Sequence, residues 1–260
     1  PEELLRDNER LVYARVSGFG QTGPDRGRAG FASVCEAAAG LRHLIGEPGR
    51  VPVRANLSLG DSLGGLHAIL GVLLALLHRE RSGRGQVVDV ALTEAILNVM
   101  ESVLPEYEQL GIARAPSGAT ITGIVPSNVY PTASGERVVI GANTDGLFAT
   151  LMRTIDREDL AQDPELSSNR GRVARATEVD AAISSWTNGR ALAEVISLLT
   201  RAGIPVSAIK DAAAVLSDPH FQARNIMESV TGGGRELRVP TLFPRLAVTP
   251  GRTQWVGPAL

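Results

Sequence analysis

The chain has 260 residues, 43% of them apolar, and a formal charge of −2 from 26 basic and 28 acidic side chains. That length suits one large domain or two modest ones, and the near-balanced charge supplies no basic field for nucleic acid or anionic lipid. Cys35 is the single cysteine, which excludes an internal disulfide and a cysteine-built metal cluster.

Positive charge is carried almost wholly by arginine, since Lys210 is the only lysine. Arginine suits bidentate grips on carboxylate or phosphate. No signal peptide is visible, and the longest apolar stretch, residues 66–77, is interrupted by His67 and is shorter than a membrane span. The expectation is a cytoplasmic globular protein. The chain opens on Pro1 and closes on Gly257-Pro258-Ala259-Leu260, so both ends read as cut from something longer.

Residues 2–8 predict a short helix, and 11–16 a buried strand. The strand stops at the glycine-rich loop Ser17-Gly18-Phe19-Gly20-Gln21-Thr22-Gly23-Pro24. Residues 31–44 have helical spacing, with small residues at 37–40 that permit close packing. A helix is predicted over 62–81, ending at Ser82-Gly83-Arg84-Gly85, where a glycine can take the left-handed conformation. Residues 86–92 read as a strand, and strand, helix, helix, strand suggests parallel pairing with crossover helices. Residues 93–111 read as helix, with Glu94 supporting the first turn.

Composition changes at 112–126, which is small, polar and rich in Gly, Pro, Ser and Thr, as a linker or active-site loop would be. A strand pair follows at 128–131 and 137–141. Helices are expected at 146–155, 173–186 and 191–202, then a break at Gly203-Ile204-Pro205-Val206 before a short strand. This is the pattern of a second α+β domain. Short helices are expected at 211–216 and 219–224, with extended segments beyond Met227 returning to the first domain. The implied division is 1–111 large domain, 112–126 linker, 127–210 small domain and 211–260 return segment.

Asp61 is the outstanding candidate for chemistry. It stands in Leu59-Gly60-Asp61-Ser62-Leu63-Gly64-Gly65, at the entrance of the apolar helix. A carboxylate there is expected to take backbone N–H groups and to face the positive end of the helix dipole, which keeps it ionised. It is either a structural cap or a nucleophile, and the two roles are compatible. Gly18, Gly20 and Gly23 spell G-x-G-x-x-G, but Pro24 follows and no helix opens there, as a dinucleotide fingerprint requires. A plain loop, or one whose backbone lines a groove for an extended ligand, is the reading. His43, His67, His78 and His220 are scattered without ligand spacing, so no metal is expected. Glu101, Glu106 and Glu108 read as a solvated helix face, and Gly232-Gly233-Gly234 as a turn.

Several stretches together resemble the family III CoA-transferases, the group of formyl-CoA transferase and carnitine CoA-transferase. They are Val12 through Pro24, Leu59-Gly60-Asp61-Ser62, and the run from Leu77 to Arg84-Gly85-Gln86. Val125-Pro126-Ser127-Asn128-Val129-Tyr130-Pro131-Thr132, Gly203-Ile204-Pro205 and Ser217-Asp218-Pro219-His220-Phe221 fit too. The resemblance implies an α/β fold with a Rossmann-like large domain, incomplete here, a smaller α+β domain, and a homodimer of two interlocked chains. It implies that a CoA-binding segment precedes Pro1, and that Gly257-Pro258-Ala259-Leu260 opens a longer closing phrase.

The resemblance also makes Asp61 the nucleophile that attacks an acyl-CoA thioester, with coenzyme A as co-substrate, small carboxylic acids as partners, and no metal. Ser17, Gly18, Phe19 and Gly20 match the loop lining the pantetheine path. Gly118 and Gly123 fall where some members carry a glycine-rich lid, here reduced to isolated glycines. Arg28, Arg42, Arg54 and Arg114 are candidates to hold a second carboxylate. An α-methylacyl-CoA racemase branch keeps the aspartate and adds a histidine after a glycine. That place is Phe31 here, which transfers no proton. The alternatives are therefore such an isomerase, or a truncated, non-catalytic binding or dimerising chain.

Overall fold

The computed structural model describes residues 1–257, and the closing phrase from Pro258 lies outside the described residues. Helix α1 (Glu2–Asp7) leads to strand β1 (Tyr13–Ser17), then α2 (Ala32–Ala38) and α3 (Leu41–Leu44). The long helix α4 (Leu59–Ser82) precedes β2 (Val87–Ala91), α5 (Leu92–Leu97) and α6 (Val103–Leu110). β1 and β2 pair in parallel, Tyr13 opposite Val87 and Ser17 opposite Ala91, as the strand–helix–strand order predicts. The small core here is Cys35, Ala39, Leu92 and Ile96, with Leu41, Leu63 and Leu97 against it.

Glycines set how closely α4 lies on its neighbours. A Cβ at Gly64 would stand 2.3 Å from Leu92 Cδ2, and one at Gly71 2.5 Å from Val88 Cγ1. Larger residues would force the helix off α5 and β2. The Arg84-Gly85-Gln86 phrase has a similar cause. A Cβ at Gly85 would fall 1.9 Å from the Leu11 carbonyl oxygen, while the Gly85 N–H donates to Glu9 O at 2.8 Å.

Several expectations are corrected. The helix expected over 62–81 begins at Leu59, with Ser58 at the N-cap position, so Asp61 is the third helical residue and not a residue before the helix. At 24 residues, with an 18-residue stretch of mean hydropathy 1.7, α4 is long and apolar enough, by length and composition, to cross a membrane, contrary to the shorter run read from sequence. Its glycine seam nevertheless packs on α5 and β2, while Leu66, Ile69, Leu70, Leu73, Leu74 and Leu77 are exposed. The helix expected over 31–44 breaks at Gly40, whose φ of 87° is left-handed, and that expected over 93–111 breaks near Glu101, with φ 51°. β1 is half-exposed rather than buried, because its sheet has two strands and open edges.

The second core belongs to a three-stranded antiparallel sheet, β3 (Ser127–Pro131), β4 (Arg137–Gly141) and β5 (Val206–Ala208), in the order β3-β4-β5. Against it lie α7 (Asp145–Thr154), α8 (Glu158–Ala161), a 3-10 turn Pro164–Ser167, α9 (Asn169–Ala174), α10 (Ala176–Asn188) and α11 (Leu192–Arg201). Tyr130, Ile140, Phe148, Leu151, Ile183 and Leu199 are among its buried members. The helix expected over 173–186 is two, α9 and α10, parted at Arg175. α8 and the 3-10 turn were not expected. Beyond come α12 (Ala212–Ser217), α13 (Pro219–Ala223) and an antiparallel hairpin of β6 (Met227–Gly232) and β7 (Arg235–Pro240). Gly233 and Gly234 turn it, with φ of 58° and 73°, which glycine adopts without strain.

Tyr130 gives this part a pH dependence. Its hydroxyl donates to Asp180 Oδ1 at 2.5 Å. Burial, then the bond to Asp180 and that group's charge, push the phenol far above its ordinary range. The folded chain therefore keeps a proton that the unfolded chain releases above about pH 10. The stabilisation is complete below that pH and drains as pH rises, by about 1.4 kcal/mol per pH unit. Urea melts on either side of that point should show a shallower loss in Tyr130→Phe than in wild type, and equal slopes would refute the assignment.

Candidate active site

β1 ends in a turn tied by Ser17. Its Oγ accepts the Gly20 N–H at 3.1 Å and the Gln21 side-chain amide at 3.1 Å. Gln21 N–H donates to Asp89 Oδ2 on β2 at 3.0 Å. The Gly18 carbonyl accepts Thr93 N–H and Thr93 Oγ1, each at 3.1 Å, which moors the loop to the start of α5. As the absence of a following helix predicts, 18–23 is a loop, with Gly20 and Gly23 at φ of 85° and 77°.

This loop lies on the backbone that enters α2. A Cβ on Gly18 would be 3.3 Å from both Gly30 Cα and Cys35 Sγ, and one on Gly30 would be 3.1 Å from the Phe19 ring. Arg28 stacks on that ring, its Cζ 4.8 Å from the centroid, and pairs with Asp25 at 3.0 Å. The first residue of α2, Ala32, meets the first turn of α4, since a Cβ at Gly60 would stand 3.1 Å from Ala32 Cβ. The start of α2 thus joins Ser17–Gly20 on one side to Gly60-Asp61 on the other. Asp61 is exposed.

The cap expected of Asp61 is not formed. Among the described residues no backbone N–H bonds its carboxylate, and Ser58 makes no side-chain cap. The free N–H of Gly60 is taken instead by Glu36 Oε1 of α2, at 3.2 Å. Glu36 is 2% exposed, and its Oε2 lies 3.3 Å from Arg42 Nε. Sequence reading passed over Glu36. Its one visible signal was a single charge within the small apolar run Cys35-Glu36-Ala37-Ala38-Ala39. The Cys35 thiol is pushed up by burial and then by the Asp61 charge, with Arg28 pulling the other way. Both ionic groups therefore act on the same spot.

The arginine candidates separate. Arg114 lines an apolar cavity of about 280 Å³ with His43, Met100 and Tyr107, but its guanidinium is spent. It donates to Glu106 through Nε at 2.7 Å and through a second nitrogen at 2.5 Å. Hydrogen bonds from Arg114 and Ser102 hold the Glu106 carboxyl down at about 2, so Glu106 is an ion-pair partner and not merely part of a solvated face. Arg42 is spent on Glu36. Arg54 donates to Leu57 O at 3.3 Å, just ahead of α4. Arg28, beside Phe19 and in an exposed pair with Asp25, and Arg54 are the exposed ones. Phe31 is 83% exposed at the N-cap of α2. The four histidines are not brought together: His67 bonds Leu63 O and Asn98, while His220 lies against Phe221.

The chain is thus mixed α/β, with an exposed carboxylate in the first turn of its long helix. The chain belongs to CoA-transferase family III, whose family model matches residues 1–260. It is 43% identical over its full length to the succinyl-CoA–D-citramalate CoA-transferase of Chloroflexus aurantiacus, spanning 65% of that protein. It is 35% identical to the alpha subunit of the succinyl-CoA–L-malate CoA-transferase of the same organism, over 99% of this chain and 60% of that one. The chain thus spans less than two thirds of these relatives. Among solved structures, Rv3272 from Mycobacterium tuberculosis superposes with a TM-score of 0.84 at 26% identity, over 98% of this chain and 68% of that one. A CAIB/BAIF family protein from Brucella suis gives 0.77 at 27%, over 96% and 65%.

Proposed function

We propose that the protein transfers coenzyme A between an acyl-CoA and a small carboxylic acid, with Asp61 as the nucleophile. The observation that carries this is the placement of Asp61. It is exposed, free of hydrogen bonds from its own helix turn, and joined through Ala32 and Gly30 to the Ser17–Gly20 loop. A capping carboxylate would have its lone pairs occupied; this one has them available for attack.

In the reaction, Asp61 adds to the thioester carbonyl of an acyl-CoA substrate. The carbon–sulfur bond breaks, giving an aspartyl acyl anhydride and CoA thiolate. The thiolate attacks the aspartyl carbonyl, releasing the donor acid as its carboxylate and leaving Asp61 as a thioester with CoA. The acceptor carboxylate attacks that thioester to form a second anhydride and thiolate. The thiolate then takes the acceptor acyl group, and Asp61 is restored. No water is consumed and the charges balance at every step. Thiolate is a good leaving group, and N–H donors at the attacked carbonyl lower each barrier. Ser17, Gly18, Phe19 and Gly20 line the path of the thioester's pantetheine arm.

The relatives named for citramalate and malate suggest succinyl-CoA as donor and a dicarboxylic acid as acceptor, with Arg28 or Arg54 meeting the far carboxylate. Phe31 offers no proton-transferring group, so the racemase reading draws no support from that position. The protein is expected to act in the cytoplasm as a homodimer.

Hydroxylamine trapping tests the reading. Incubation with succinyl-CoA and then hydroxylamine should convert Asp61, and no other carboxylate, to a hydroxamate seen by peptide mass spectrometry. Absence of label at Asp61, with transfer activity present, would sink it.

A further inference from the structure

We infer that Glu36 is a positioning residue for Asp61, holding the first turn of α4 so that the Asp61 carboxylate meets the thioester in line. The inference rests on the reading of Asp61 as nucleophile, and the juxtaposition behind it is on α2 and α4. A helix normally satisfies its first N–H groups with a local cap. α4 does not, since the Ser58 side chain makes no cap bond. The acceptor comes from Glu36, 24 residues earlier in the chain, and bonds the N–H of the residue directly before Asp61.

Burying a carboxylate is costly unless it is paired and hydrogen-bonded. Glu36 meets that condition asymmetrically. Arg42 Nε lies 3.3 Å from Oε2 yet makes no hydrogen bond, so the pair is ionic contact alone. The directional bond of Glu36 is the one to Gly60. Gly60 is also where α4 touches α2 and α5, because any Cβ there would meet Ala32 at 3.1 Å and Ile96 at 3.2 Å. The position of Asp61 is therefore set by the packing of Gly60 on Ala32 and Ile96 and by one hydrogen bond. A shift of about 1 Å in a reacting group can cost about 10²-fold in rate.

Two conservative variants separate positioning from a purely ionic role. Glu36→Gln keeps the reach to the Gly60 N–H and loses the charge facing Arg42. Glu36→Asp keeps the charge and withdraws the oxygens by one carbon–carbon bond, about 1.5 Å. With succinyl-CoA as donor, kcat should fall by about 10²-fold in Glu36→Asp at unchanged KM, while Glu36→Gln stays well above it. Amide exchange in the 59–62 segment should speed up in Glu36→Asp and not in Glu36→Gln. The reverse order of the two variants, or equal kcat in both, would overturn the inference. The exchange measurement needs no activity. If wild type yields no hydroxamate, the nucleophile reading falls alone, and unchanged exchange in Glu36→Asp then overturns the placement by Glu36 as well.

Discussion

Asp61→Ala should abolish CoA transfer, with kcat down by on the order of 10⁴-fold or more, as removal of a covalent nucleophile does. The fold should survive. Asp61 is exposed and makes no hydrogen bond to its helix turn, so its structural worth is the interaction of a carboxylate with the first turn of α4, about 0.3–1 kcal/mol. The combination is the diagnostic. A cap would lose stability and keep activity; a nucleophile loses activity and keeps stability. Asp61→Asn sharpens the test, since it preserves size and helix-start preference while removing the attacking charge. Initial rates with succinyl-CoA and a dicarboxylate acceptor, set beside urea melts of the same preparations, read both quantities. Transfer persisting within tenfold of wild type in Asp61→Ala would remove this carboxylate from the mechanism.

The second large effect is on stability and lies in the other core. Arg172 is fully buried, and its guanidinium donates to Val125 O at 2.9 Å, Asn143 O at 3.0 Å, Leu166 O at 3.1 Å and Asp145 Oδ1 at 2.8 Å. It also lies over the Phe148 ring, 5.0 Å from the centroid. One side chain thus ties the end of the 112–126 segment, the exit of β4, α7 and the 3-10 turn. Arg172→Ala leaves three carbonyls without that donor, the Leu166 carbonyl in a buried place, and opens a void where a fully buried side chain stood, so it should cost roughly 3–5 kcal/mol. Arg172→Lys supplies one point charge in place of a planar fork and should recover less than half of that. The urea midpoint checks both. A loss under about 1 kcal/mol in Arg172→Ala would show that water replaces these bonds, against their burial.

The two residues differ in how they could be found. Asp61 stands where local rules flag a carboxylate, at the mouth of an apolar helix in a glycine-rich phrase. Arg172 and Glu36 look like ordinary charges in helical stretches. Nothing in Arg170-Gly171-Arg172 says which arginine is inside. The strand pair expected at 128–131 and 137–141 was legible to within a residue because a connection through Ala133-Ser134-Gly135 is a local turn signal. The parallel pairing of β1 with β2 was legible from element order.

What the chain's order of residues determined by itself was the strands and the main helical stretches, though not where those stretches break, their α/β class, the glycine loop after β1, and Asp61 as the group to watch. These follow from periodicity, turn chemistry and motif, each of which acts within a few residues. Only the tertiary structure decided that α4 starts three residues before its expected first residue, that Asp61 is left uncapped, and that Glu36 takes the cap's place. It also decided that Arg42 and Arg114 are spent on ion pairs. The substitute cap depends on a donor and an acceptor 24 residues apart in the chain, and the two ion pairs on which of several nearby carboxylates each guanidinium meets once the helices are packed; no local pattern encodes either.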